Sequence, residues 1–135
     1  MKGEPKTIVV LYYTRGVYPL RDTIQTHLYC WKKYSRHSVC YINVAFGYPA
    51  EELSRLQPDV IIFHTIYLSM RWAPEVFEQY TSICEAVAEI DCMKIALPQD
   101  EFIHTDLLGE YLGKVGVTHI GTCSYEQDWK TIYRR

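Results

Sequence analysis

The sequence predicts an α/β fold: a three-layer sandwich with helices on both faces of a five-stranded parallel sheet. Three observations carry that expectation. Short, continuous apolar runs alternate with stretches whose apolar residues recur every three and four positions. The runs are apolar at successive positions, as strands buried between helix layers must be. The connections are short, so successive strands pair in parallel through right-handed crossovers.

The elements follow in order. Thr7 to Tyr13 (TIVVLYY) is a β-branched and aromatic strand. Leu20, Ile24, His27, Leu28 and Trp31 form one face of an amphipathic helix. Ser38 to Ala45 reads as a second strand. Ala50 to Leu56 reads as a short helix, stopped by Gln57-Pro58-Asp59. Val60 to Ile66 (VIIFHTI) is the third strand. Pro74 then opens the longest helix, where its missing N–H costs nothing. Val76, Phe77, Tyr80, Ile83, Cys84, Val87 and Ile90 make its apolar face, which predicts one helix as far as Ile90. Met93 to Leu97 is the fourth strand. Thr105 to Lys114 is a helix capped by Thr105, with Gly116 near its end. Thr118 to Cys123 is a short fifth strand. Ser124 to Tyr133 is a last helix, Ser124 and Gln127 forming a capping box. The pattern is Rossmann-like, and strand order 3-2-1-4-5 or 2-1-3-4-5 suits it equally.

With 135 residues, 48% of them apolar, the chain can bury the core of one domain, expected to span 1–135. Lys and Arg number 14 against 16 Asp and Glu, a net charge of −2. That balance gives no electrostatic case for nucleic acid or an anionic membrane, so neither is expected as a partner. The first apolar run is too short to span a membrane. Five cysteines, an odd number with no CxxC pair, read as reduced and mostly buried thiols of a cytoplasmic protein rather than a metal site. The 12 tyrosines leave rings such as Tyr18, Tyr48 and Tyr67 for a recognition surface.

Ligands of doubly wound sheets bind outside the carboxyl ends of the strands, so the informative residues follow each strand. After the first strand, Gly16 permits a tight backbone, and Arg15 and Arg21 offer forked donors beside a helix start. His64 ends the third strand and points either into the crevice or into the core. Gln99, Asp100 and Glu101 follow the fourth strand, and a carboxylate there can accept a hydroxyl proton or hold a sugar hydroxyl. Several nucleotide signatures are missing. The chain has no GxGxxG, no GxxxxGK[ST], no GxSxG elbow and none of the acidic cluster of a receiver domain.

Two stretches carry a resemblance. One is Leu11 to Thr23, LYYTRGVYPLRDT. The other joins Pro58 to His64 (PDVIIFH), Lys94 to Phe102 (KIALPQDEF) and Gly116 to Ile120 (GVTHI). Together they resemble the N-terminal Rossmann-like domain of bacterial glycosyltransferases of the two-domain GT-B architecture. The resemblance implies that this chain is the N-terminal part of a longer protein, and that a C-terminal domain absent from it holds most of the nucleotide-sugar. It implies a sugar acceptor or nucleotide-sugar at an inter-domain cleft, with no metal or other cofactor. It places the Gly16 loop, with Tyr18, on that cleft, and His64 and Gln99-Asp100-Glu101 along the same rim. Asp100 or Glu101 would be the acceptor base, with His64 a rival, and Arg15 or Arg21 would meet a phosphate. The isolated chain would be inactive. The alternative is a stand-alone Rossmann-like module that binds a ligand or a protein without catalysis.

Overall fold

The computed structural model describes residues 3–16 and 18–133, and the side chain of Ile83 is not among what it describes. Val17 of the first loop and the terminal Arg134 and Arg135 therefore lie outside the described residues. Five strands form one parallel sheet: β1 (Thr7–Tyr12), β2 (Ser38–Asn43), β3 (Val60–Phe63), β4 (Met93–Ala96) and β5 (His119–Ile120). Their order is β2-β1-β3-β4-β5, which decides between the two orders the sequence allowed. The connecting helices are α1 (Asp22–Tyr34), α2 (Ala50–Leu56), α3 (Thr65–Leu68), α4 (Pro74–Ile83), α5 (Thr105–Val115) and α6 (Trp129–Ile132). No described helix is long and apolar enough to cross a membrane.

Strand alternation divides the core in two. Val9 and Leu11 of β1, Ile61 and Phe63 of β3 and Ala96 of β4 face one side. There they meet Leu53 of α2, Phe77 and Tyr80 of α4, and Leu108, Tyr111 and Leu112 of α5. Ile8, Val10, Tyr12 and Ile62 face the other side, where Leu28 of α1 covers them. Each of the Val, Leu, Ile and Phe side chains removed from water contributes roughly 1.5–3 kcal/mol. The helices thus lie on both faces of the sheet, and the buried strands read as continuous apolar runs for that reason.

Several boundaries differ from expectation. β3 ends at Phe63, and His64 becomes the N-cap of α3, its side chain accepting from the Ile66 amide. The helix foreseen as far as Ile90 breaks at Cys84 into a 3-10 stretch, Glu85–Glu89. Lys94 on β4 takes the freed carbonyls, its buried Nζ donating to Ile90 O at 2.6 Å and Ala88 O at 3.4 Å. A hydrophobic pattern at helical spacing cannot register such a tertiary donor. β5 is two residues long, and Ser124 caps nothing helical: a 3-10 turn at Glu126–Asp128 precedes α6. The cap position of α5 is His104 rather than Thr105, and its side chain makes no capping bond.

Leu28 is the one fully buried residue of α1, so it anchors the helix to the sheet. Leu28→Ala is expected to lower stability by roughly 2–5 kcal/mol in urea denaturation. The loss should be accompanied by faster amide exchange in α1 than in α5.

Candidate functional site

β1 and β3 are neighbours, yet the chain leaves them in opposite directions, toward β2 and toward β4. Helices on opposite faces therefore part at the carboxyl ends of these strands, where such folds hold their ligands. A crevice of about 460 Å³ opens there. Arg21, Thr23, Ile24 and His27 make the wall from α1. His64, Thr65, Ile66, Ser69 and Trp72 make the floor after β3. Pro98, Gln99 and Asp100 make the wall after β4, and Cys123 closes one end.

The β4 wall is held by a buried cation. Arg71 is fully buried at 0% exposure. Its Nε donates to Ile103 O at 2.9 Å, and one terminal nitrogen donates to Leu68 O at 2.8 Å. The other terminal nitrogen donates to Gln99 O at 2.5 Å and to Asp100 O at 2.8 Å. Burial lowers the guanidinium pKa, but an arginine stays charged in proteins. Carbonyl oxygens on both sides of Asp100 thus converge on one fork. They hold Asp100 and His104 at positive φ, 50° and 48°, where non-glycine residues are disfavoured. Thr65 Oγ1 ties the floor to the same wall, donating to Leu97 O at 2.8 Å.

Glu101 secures the loop on its far side. Its carboxylate is 2% exposed and accepts from Thr122 Oγ1, from the amides of Cys123 and Ser124, and from the Tyr133 hydroxyl. Burial pushes its pKa up, but those donors outweigh burial and hold it below the ordinary carboxylate value.

The floor carries a histidine pair. His64 is 1% exposed, so both orientations foreseen for it hold in part: it lies in the core with an edge on the crevice. Its Nδ1 accepts the Ile66 amide at 3.2 Å, and its Nε2 lies 2.7 Å from His27 Nδ1. Burial, and then the nearby His27, pull its pKa down from 6.5 to about 3.

The structure brings Arg21, His64, Gln99 and Asp100 together around the crevice and leaves the other sequence candidates outside its lining. Arg15 turns toward α4: it donates to the Tyr80 hydroxyl, and its guanidinium carbon lies 5.3 Å from that ring's centroid. Gly16 closes a small turn, its amide donating to Thr14 Oγ1 at 3.0 Å. The Tyr18 hydroxyl lies 3.0 Å from that of Tyr12. Glu101 is engaged below the loop. Tyr67, expected among the exposed rings, is fully buried against Tyr111, whereas Tyr18 is 53% exposed. Sequence reasoning passed over His27, Ser69 and Cys123 as lining. His27 carried one signal, since it stands in the apolar stripe of α1 where a polar ring must meet a partner. Among the described residues, no group of three or more His, Cys, Asp and Glu is placed to hold a metal ion.

Comparison with protein-family models, with curated proteins and with solved structures returns no match.

Two outcomes follow. Arg71→Lys leaves several buried carbonyls unpaired and should cost on the order of 2–4 kcal/mol in urea denaturation, with the 98–104 loop losing exchange protection. The second concerns pH. The His64 pKa is lower in the folded than in the unfolded chain, so between about 6.5 and 3 the unfolded chain binds the extra proton. Stability should then fall as pH drops, by about 2 kcal/mol from pH 7 to pH 5. His64→Asn, which retains an oxygen for the Ile66 amide, should flatten that slope in denaturant melts.

Proposed function

We propose that this chain is the acceptor-side domain of a two-domain glycosyltransferase, and that its crevice holds the hydroxyl to which sugar is transferred. One observation carries the reading: Asp100 is the candidate carboxylate with an unoccupied face on the crevice, opposite the Arg21 wall. Of the three candidate bases, Glu101 is itself buried and has both oxygens taken by hydrogen-bond donors. His64 has one nitrogen receiving a backbone amide and the other engaged with His27. Asp100 makes no side-chain hydrogen bond among the described residues, and its backbone is fixed by Arg71. A half-buried carboxylate on a rigid loop can accept a hydroxyl proton as the new glycosidic bond forms. Arg21, which lines the same crevice, can meet a phosphate of a bound substrate. The resemblance of the PDVIIFH, KIALPQDEF and GVTHI segments supports the same reading, and it assigns the donor sugar mainly to a second domain.

A second reading, a binding module without catalysis, rests on exposed rings. Tyr18, Phe46, Trp72, Phe102 and Tyr125 follow β1, β2, β3, β4 and β5 in turn, and all are at least half exposed. Rings at that edge offer contact area at low entropic cost, for sugars or for a protein.

The chain alone, offered a panel of nucleotide-sugars, should give no transfer and no hydrolysis under either reading; robust turnover would overturn both. The two readings separate only in a protein that carries the second domain, where the first requires transfer and the second does not. In the protein carrying both domains, Asp100→Asn should lower kcat by roughly 10²–10⁴-fold with a smaller change in KM. An unchanged kcat would remove Asp100 as the base.

A further inference from the structure

The histidine pair at the floor of the crevice has a single proton arrangement when both rings are neutral. A backbone amide can only donate, so the Ile66 N–H fixes His64 Nδ1 as an acceptor. The proton of His64 then sits on Nε2. That nitrogen lies 2.7 Å from His27 Nδ1, so His64 donates and His27 Nδ1 accepts. The proton of His27 is thereby placed on Nε2. His27 is exposed and lines the crevice, and its Nε2 has no protein partner among the described residues. The reverse arrangement would leave His64 with two acceptor nitrogens and no proton, an imidazolate, inside the core. The rings are also packed together, their centroids 4.7 Å apart and tilted at 46°, which restricts rotation of His27.

We propose that His27 is a ligand-recognising residue of the crevice, oriented by His64, and that the ligand group it reads is an oxygen acceptor on an anionic, hydroxylated small molecule. His27 Nε2–H can donate to a ligand oxygen but cannot take a proton from one while the pair is intact. Its wall also presents the Arg21 guanidinium, which suits a phosphoryl or carboxylate group. The facing wall presents Asp100, which accepts from a hydroxyl. One wall donates and the other accepts, so a bound molecule with an oxyanion at one end and a hydroxyl at the other has a defined orientation. A sugar phosphate and a sugar acid share that chemistry. His64 touches no ligand in this scheme and is a positioning residue.

The inference deepens the glycosyltransferase reading by naming the class of molecule in its crevice. It rests on that reading only for the identity of the site, because binding is measured without transfer. Nitrogen-15 histidine NMR of the full chain near pH 7 should show both His27 and His64 protonated at Nε2 and bare at Nδ1. A His27 ring protonated at Nδ1 would overturn the relay. Titration with glucose 1-phosphate, glucuronate and uncharged glucose should then shift the His27 Nε2–H resonance with either charged probe, and only weakly with glucose. Phosphate preferred over carboxylate, or the reverse, would identify the oxyanion. Binding of neither charged probe, or equal binding of all three, would overturn the ligand class.

His27→Phe keeps the ring contact and removes the donor, so affinity for the preferred probe should fall roughly tenfold. His64→Asn keeps the Ile66 bond and should release His27 into a mixture of tautomers, which a purely structural role of His64 would not produce. Arg21→Gln should erase the preference for charged over uncharged probe. Binding of a charged probe without transfer in the two-domain protein would retain this inference while removing the catalytic one.

Discussion

A single buried guanidinium fixes the loop on which the site depends. Arg71 gathers the carbonyls of Leu68, Gln99, Asp100 and Ile103, and no acidic side chain lies within salt-bridge distance of it among the described residues. Desolvating the charge costs several kcal/mol, which charge-assisted bonds of roughly 1.5–3 kcal/mol each can offset. What the arrangement secures is geometry. Two consecutive segments of the loop hold non-glycine residues at positive φ, a conformation that costs on the order of 1–3 kcal/mol per residue and relaxes unless the surroundings enforce it. Glu101 enforces it from the other side by tying the loop to Thr122, Cys123, Ser124 and Tyr133. The two buried charges sit beneath the loop so that Asp100 can stand free above it.

The same logic of saturation organises the crevice floor. His64 is a helix cap and a hydrogen-bond donor at once, so the chemistry of a titratable ring is used up in orienting its neighbour. Its lowered pKa is a consequence of that placement: burial disfavours the charged ring, and a second histidine beside it adds to the effect. The reactive possibilities therefore move outward, from His64 to His27 and from Glu101 to Asp100. In both pairs the buried member supports, and the less buried member lines the crevice.

Strand order contributes as directly as any side chain. With β1 beside β3, the helices on the two faces diverge at their carboxyl ends and leave a gap between α1 and the β4 loop. Asn43 fastens the loop after β1, accepting from the Thr14 amide and donating to Thr14 O at 2.8 Å, which ties that loop to the end of β2. Arg15, one residue later, is carried to Tyr80 on α4, and Arg21, at the start of α1, remains in the crevice.

The sequence by itself determined the class of fold, because a buried parallel strand and a half-buried helix leave different hydrophobic periods. TIVVLY and VIIF could hardly be anything but central strands. It also directed attention to the carboxyl ends of the strands, where a reversal of winding direction opens a crevice between helices. It could not separate Asp100 from Glu101, or place His27 beside His64. Adjacent residues of like chemistry differ only in which way the loop turns them, and that turn is imposed by Arg71, some 30 positions earlier in the chain. The partner of His64 lies 37 residues away on α1. Which side chains are consumed by buried partners and which remain free is a property of contacts between distant segments, and periodicity records only the local half of each contact.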